Sequence, residues 1–363
     1  MKLFITLSRW LVGLLFIFSG LIKANDPAGL SYKMLEFFEA WNWHFLDNYT
    51  LGLSIAMNVF EVLAGVALIV GWRMKLFSWL LLLLILFFTF LTSYVLFSGK
   101  IKTCGCFGDC LPLTPLQTFV KDVVLLLLIL VIFFNAGRVR TGIAARPAAI
   151  TLLVTILAVT GIQFWVLRHL PFLDCLPYKK GNAILEQMKI PTGALSDSFA
   201  IRYEYKKNGK TVYFDALHFP ADFDSTYEYV NRKDELVRKG TAEARIVDLS
   251  FRTLHGTDTT QAILQQHERY ILVWAKEMTN TDDWKKPFAE IRRQALRKNI
   301  PVYMVTAQAA EAVHYFPDVT ILQCDATVIK TAARVNPTYF IMFEDRILQK
   351  YSYADVSKVL KKI

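Results

Sequence analysis

Long apolar runs alternate with short polar breaks up to about residue 168, after which the chain turns to short mixed segments. A helix that spans a bilayer needs about 20 apolar residues. Five runs approach or reach that length: about Phe4 to Ile22, Leu51 to Trp72, Leu76 to Phe97, Phe119 to Phe134 and Ala148 to Leu167. Lipid offers no partners to peptide groups, so each run is expected to be a helix. The first run follows Lys2, but "FSGLIKANDP" contains no small-x-small cleavage site, and the run reads as a retained span rather than a removed leader. Between the first two runs, "YKMLEFFEAWNWHF" suits a short helix lying in the interface, or a loop packed over the bundle. Trp41 and Trp43 read as interface anchors rather than ligand binders.

Beyond Arg168 the periods shorten. "LPYKKGNAILEQMKIP" has turn residues and little periodicity, as a linker does. "SFAIRYEYKKNGKTVYFDAL" holds two alternating stretches around an Asn-Gly pair, a hairpin signal, and the region to about Ser250 reads as mostly β. From Asp248 the pattern is α/β. "DLSFRTLHGTDTTQAILQQ" predicts a short strand, a turn and a helix, and "RYILVWA" a buried strand. "DDWKKPFAEIRRQALRKN" puts Trp284, Phe288, Ile291 and Ala295 on one helical face. A second buried strand, "IPVYMVTA", and a helix, "AEAVHYF", follow. "RVNPTYFIMFEDRILQKYS" then predicts strand, turn and return strand before a final helix, "YADVSKVLKKI". The expected divisions are a transmembrane bundle over 1–168, a linker with a β-rich extension over 169–247, and an α/β domain over 248–363.

Composition sharpens this picture. Of 363 residues, 54% are hydrophobic, and only seven of the 31 acidic residues occur up to His169, so a membrane half precedes a water-soluble half. The net charge of +10 points away from nucleic acid once its placement is read, because basic residues gather in short loops. Lys2, then Arg73 and Lys75, then Arg138, Arg140 and Arg146 share one side if all five runs span, and the positive-inside rule makes that side cytoplasmic. Lys100 and Lys102 weaken the contrast without reversing it. The amino terminus is then cytoplasmic, and everything after the fifth run lies outside.

All five cysteines fall on the outer side, where disulfides are permitted. An odd count leaves at least one thiol free or transiently paired. Three of them crowd into "KTCGCFGDC", residues 102–110. Cys104 and Cys106, one glycine apart, can close a small ring whose strain makes it oxidising, and Lys102 beside them favours the reactive thiolate. Such a ring at a membrane surface could pass electrons to a lipid-soluble quinone. The bland alternative is a static loop disulfide or two plain thiols. Cys110 and Cys175 stand apart from that pair, and a structural Cys110–Cys175 disulfide is expected, one of three ways to join four outer cysteines. A metal site is the weakest reading: the spacing lacks paired knuckles and the loop has no histidine. Glu61, in mid-span, serves either a proton relay or quinone hydrogen bond, or a structural contact, with Asn58, Arg9 and Lys23 as candidate partners. Asp122, beside Lys121 and one turn into the fourth run, is a weaker candidate near the interface.

"CGCFG" between a third and a fourth span, "FSGLIK" closing the first, and Glu61 within "NVFEVLAGVALIVGW" resemble the MauE branch of the DoxX-like membrane proteins over about residues 1–136. That resemblance implies membrane redox or disulfide chemistry beside a thioredoxin-like partner. Residues 248–363 resemble a thioredoxin-like domain, with "NPTYFIMF" placing Pro337 like the family's cis-proline and making Asn336–Pro337 the bond to examine. The family's Cys-x-x-Cys is missing: after "RYILVWA" the chain reads "KEMTNTDDW". The usual dithiol exchange is therefore excluded in this domain, and what the resemblance leaves is a peptide or thiol-protein binding surface at Asn336 and Pro337. Cys324, 13 residues before that proline, is either a lone reactive thiol or a buried small hydrophobe. His218, His255, His267 and His314 read as ordinary surface or packing residues. The combined order resembles Bacteroidetes fusions of a DoxX-like bundle to a degenerate thioredoxin-like domain.

Three functions follow as expectations. The first is a thiol/disulfide or quinone-linked relay at the outer face of a bacterial inner membrane, with Cys104 and Cys106 exchanging electrons, Glu61 handling a proton and a periplasmic domain docking a thiol protein or peptide. The second is a non-enzymatic scaffold whose outer domain binds a partner. The third is a transporter-like component using Glu61.

Overall fold

The computed structural model describes residues 2–101, 103–138, 144–191, 193, 198–215, 218–220, 222–238, 240 and 244–363. Lys102 and Arg140 of the charge argument, and Ala216 and Leu217 at the end of the expected hairpin, lie outside the described residues. The chain forms two compact units, Met1–Gly181 with Ser250–Ile363, and Asn182–Leu249.

The first unit opens with six helices: α1 (Lys2–Asn25), α2 (Pro27–Ala40), α3 (Thr50–Val70), α4 (Met74–Ser98), α5 (Pro115–Phe134) and α6 (Ala145–His169). All but α2 are long and apolar enough to cross a membrane. α1, α4, α5 and α6 each contain one expected run and extend beyond it, whereas α3 stops at Val70, short of the expected Trp72, because Gly71 caps it at φ +78°. α5 starts at Pro115, where Thr114 and Gln117 form a reciprocal capping box. Leu83, Phe90, Leu127 and Leu157 are exposed on the bundle's surface, the face a membrane protein presents to acyl chains. Inside, Val12, Phe16, Leu68, Phe77, Leu81 and Ile129 form the core. α1 and α3 approach most closely. A Cβ on Gly65 would sit 2.6 Å from the Gly13 carbonyl oxygen, and one on Gly20 would sit 2.6 Å from Val62 Cγ2. Small residues are how spanning helices bring their backbones together.

The second unit begins with a single-turn helix, α7 (Ile184–Gln187), and carries a three-stranded antiparallel sheet in the order β2-β1-β3. Its strands are β1 (Ser198–Lys207), β2 (Lys210–Asp215) and β3 (Tyr227–Arg238). The expected hairpin is β1–β2, turning at Asn208 and Gly209, both at positive φ. Tyr205, Phe214, Phe219 and Phe223 pack as neighbours, with Phe214 and Phe219 centroids 4.8 Å apart.

Returning to the first unit, the α/β domain runs α8 (Thr260–Leu264), β4 (Arg269–Trp274), α9 (Asp282–Arg297), β5 (Val302–Thr306), α10 (Ala309–Tyr315), β6 (Thr320–Gln323), α11 (Ala326–Ala332), β7 (Thr338–Phe343), β8 (Arg346–Ser352) and α12 (Val356–Leu360). The sheet order is β6-β5-β4-β7-β8, with β4, β5 and β6 parallel and β7 and β8 antiparallel. This fits the thioredoxin-like domain that the sequence resembles. Trp284, Phe288, Ile291 and Ala295 of α9 are buried against it, as their spacing requires. The strand expected near Leu249–Arg252 reduces to isolated bridges from Arg252 to Asp258 and Gln323. β6 and α11 were not legible: four residues are too short to establish a period, and "ATVIKTA" of α11 is rich in β-branched residues that do not announce a helix.

Candidate functional site

The "CGCFG" loop lies between α4 and α5. Gly105 takes φ +72°, a conformation that favours glycine, and this turn brings the flanking side chains together. The Cys104 and Cys106 sulfurs are 3.4 Å apart in hydrogen-bond contact, both thiols free and half-buried. The contact is unequal. It pushes the Cys104 thiol well above the ordinary range, and burial adds to that. The same contact holds Cys106 below the ordinary range against the opposing effect of burial, and the Lys121 and Lys23 ammonium groups add to the lowering.

Two ion pairs lie beneath the loop. Lys23, at the end of α1, is paired with Glu61 of α3, and both are buried. Of the three partners considered for Glu61, Lys23 is the one the fold supplies. Arg9 instead donates to the Ile69 carbonyl at 3.3 Å, and Asn58 donates to Gln163 at 3.0 Å. The close seam of α1 on α3 places Lys23 there. Ser19 Oγ lies 3.2 Å from Glu61 Oε2 and 3.0 Å from the Cys106 carbonyl oxygen, so its one proton links the ion pair to the cysteine loop. The second pair is Lys121–Asp122 at 2.5 Å. Asp122 is fully buried beside Lys121, its Oδ2 has no hydrogen-bond partner among the described residues, and it lines a small cavity with Ser19, Lys23 and Cys106. Sequence reasoning ranked Asp122 low and passed over Ser19. A carboxylate inside a span was the available signal.

Beside the loop is a larger cavity of about 430 Å³, between α3 and α4 and roofed by α2. Phe37, Phe60, Phe88, Met34 and Met57 wall it, and Cys104, Gly105, Cys106 and Lys23 close one side. Trp41, expected as an interface anchor, lines this cavity and packs edge-on to Tyr94.

Cys110 and Cys175 are joined in a disulfide that ties the loop to the segment after α6. With those sulfurs committed to each other, the four-thiolate set of the metal reading is not assembled. Cys324 is buried, and burial pushes its thiol up to about 12.

The α/β domain meets the bundle at its cis-proline edge. Asn336–Pro337 is cis, Pro337 is buried, and Asn336 Oδ1 accepts from the Lys276 amide at 2.8 Å. Lys276 opens the stretch "KEMTNTDDW" that follows β4. Its Nζ reaches Tyr32 Oη of α2 at 3.3 Å and the Arg334 carbonyl at 2.9 Å. Arg334, just 7% exposed, donates to Asp26 at 2.7 Å and to Asp109, in the cysteine loop itself, at 2.8 Å. Lys350 pairs with Asp174 at 2.8 Å, and His169 with Asp355 at 3.3 Å.

Five spanning helices carrying a paired-cysteine loop, with an α/β domain docked over it, define a multi-pass membrane protein. Its bundle is a MauE-type membrane domain: residues 1–135 match the family described as methylamine utilisation protein MauE. Residues 199–239 match a domain of unknown function, DUF8463. Among curated proteins, Protein TlpB of Flavobacterium psychrophilum is 30% identical over 141 residues, which is 36% of this chain and 36% of that protein. The chain therefore matches about a third of the length of that relative. No solved structure matches.

Proposed function

We propose that this protein is a membrane thiol/disulfide relay in which Cys104 and Cys106 exchange two electrons with a thiol protein. The observation that carries this reading is the pair itself: two free sulfurs 3.4 Å apart, one favouring its thiolate and the other its thiol. The best leaving sulfur is the one with the more stable thiolate, so a partner thiolate attacks Cys104 of the closed Cys104–Cys106 disulfide. That S–S bond breaks, Cys106 leaves as thiolate, and a Cys104–partner bond forms. The partner's second thiolate then displaces Cys104, which takes up a proton. The partner departs oxidised by two electrons, and the dithiol remains. Glu61 and Lys23 form the proton-bearing floor of this site.

The same reading places the loop and the α/β domain at the periplasmic face of a bacterial inner membrane, with the amino terminus cytoplasmic. The Cys110–Cys175 disulfide and the basic residues at the opposite helix ends support that orientation. The scaffold alternative, a partner held at Asn336 and Pro337, draws less support, because that edge is engaged by Lys276, Glu277 and Tyr32. The test is capture in cells. Cys106→Ala should hold a partner in a mixed disulfide through Cys104, visible on non-reducing gels and assigned by mass spectrometry. If neither this variant nor Cys104→Ala captures a protein, and the thiol status of secreted proteins is unchanged, the relay fails.

A further inference from the structure

We infer that the cavity between α3 and α4 binds the ring of a lipid quinone, which takes the two electrons of the Cys104–Cys106 dithiol. This rests on the relay reading and adds the second redox partner that such a relay requires.

At about 430 Å³, the cavity falls in the ~300–1,000 Å³ range of small-molecule sites. Its walls exclude most ligand classes. Phe37, Trp41, Phe60 and Phe88 offer flat faces, Met34 and Met57 adaptable ones, and among the described residues the charged side chains lining it are Lys23 and Lys33. Lys33 is already held by Glu36 at 2.8 Å. A polar metabolite would leave its hydrogen-bonding groups unpaired against these walls. A fatty acid would seek the Lys23 ammonium, but Glu61 already neutralises that charge. A neutral ring carbonyl needs only a donor, and Lys23 is one. The rim points the same way: Leu53 and Phe87, 41% and 43% exposed, sit on the bundle's outer surface, so a prenyl tail can leave into lipid. Cys104 and Cys106 line the same cavity.

The reaction balances. The dithiol loses two electrons and two protons as the Cys104–Cys106 bond forms. The quinone gains both pairs and becomes the quinol. Lys23 hands a proton to the reduced oxygen and recovers one from the thiols.

The test uses the full chain in lipid nanodiscs, reduced and freed of reductant, with decylubiquinone as the probe and diamide as a quinone-independent oxidant. Mass spectrometry follows closure of the Cys104–Cys106 pair, and absorbance follows loss of quinone. The expected result is one quinone reduced per pair closed, with Ala56→Trp, which fills the cavity from α3, slowing the quinone reaction at least tenfold. Met57→Phe, a milder filling, reads the same way should Ala56→Trp not fold. If diamide closes the pair and decylubiquinone does not, or both filled variants keep the full quinone rate, the cavity holds an acyl chain and this inference falls while the relay stands. If neither oxidant closes the pair, the relay reading falls beneath it.

Discussion

Lys121 and Asp122 are adjacent in sequence, yet they act on Cys106 with opposite sign: the ammonium favours its thiolate and the carboxylate opposes it. Removing each charge should therefore move the sulfur in opposite directions. Lys121→Met is expected to raise the pH midpoint of Cys106 alkylation, and Asp122→Asn to lower it. Rates of iodoacetamide labelling against pH, with each sulfur assigned by fragmentation, would check both. In the unaltered protein Cys106 should label at a lower pH than Cys104, and a reversed order would remove the asymmetry on which the direction of attack depends. At this scale the sequence was partly legible. The pairing of Cys104 with Cys106 follows from a one-residue spacing, and Glu61 declares itself by lying within a span. The burial of Asp122 is not legible in the chain, because hydropathy locates a span but not which of its polar residues face the neighbouring helices.

The elements that build the site are α1 and α3, and what joins them is small side chains. Gly65→Ala would place a methyl group 2.6 Å from the Gly13 carbonyl oxygen, which is backbone and cannot turn aside. The helices must part, drawing Lys23 away from Glu61. A loss of about 1–3 kcal/mol is expected, the usual range for overpacking. Gly161→Ala on α6, where an added carbon meets nothing within 4 Å, should be neutral to within about 0.5 kcal/mol. Thermal unfolding in detergent compares the two, and equal effects would mean the α1–α3 seam is not tight. The spans, the Asn208-Gly209 hairpin and the buried face of α9 could all be read in advance, since each rests on a local period or a local turn. β6 and α11 could not, the one being four residues long and the other rich in β-branched residues.

Across the whole first unit, Arg334 clasps the α/β domain to Asp26 and Asp109, and the latter belongs to the loop that holds the dithiol. If this contact limits access to the dithiol, loosening it should expose the sulfurs. Arg334→Ala leaves Asp26 and Asp109 without their guanidinium, and because both carboxylates keep solvent access the loss is smaller than for a fully buried pair. The edge should open more often, and labelling of Cys104 and Cys106 by an impermeant maleimide should rise several-fold. Unchanged labelling would mean that the clasp does not govern access.

The order of elements, the five membrane-length helices, the crowding of sulfur in one loop and the loss of Cys-x-x-Cys were all present in the linear chain. They depend on neighbours within a turn or two, and local period and composition record such neighbours. The partner of Glu61, the burial of Asp122, the cavity beside the dithiol and the clasp at Arg334 belong to the tertiary structure alone. Arg334 and Asp26 lie 308 positions apart, and their meeting is set by how the domain docks rather than by any pattern along the chain.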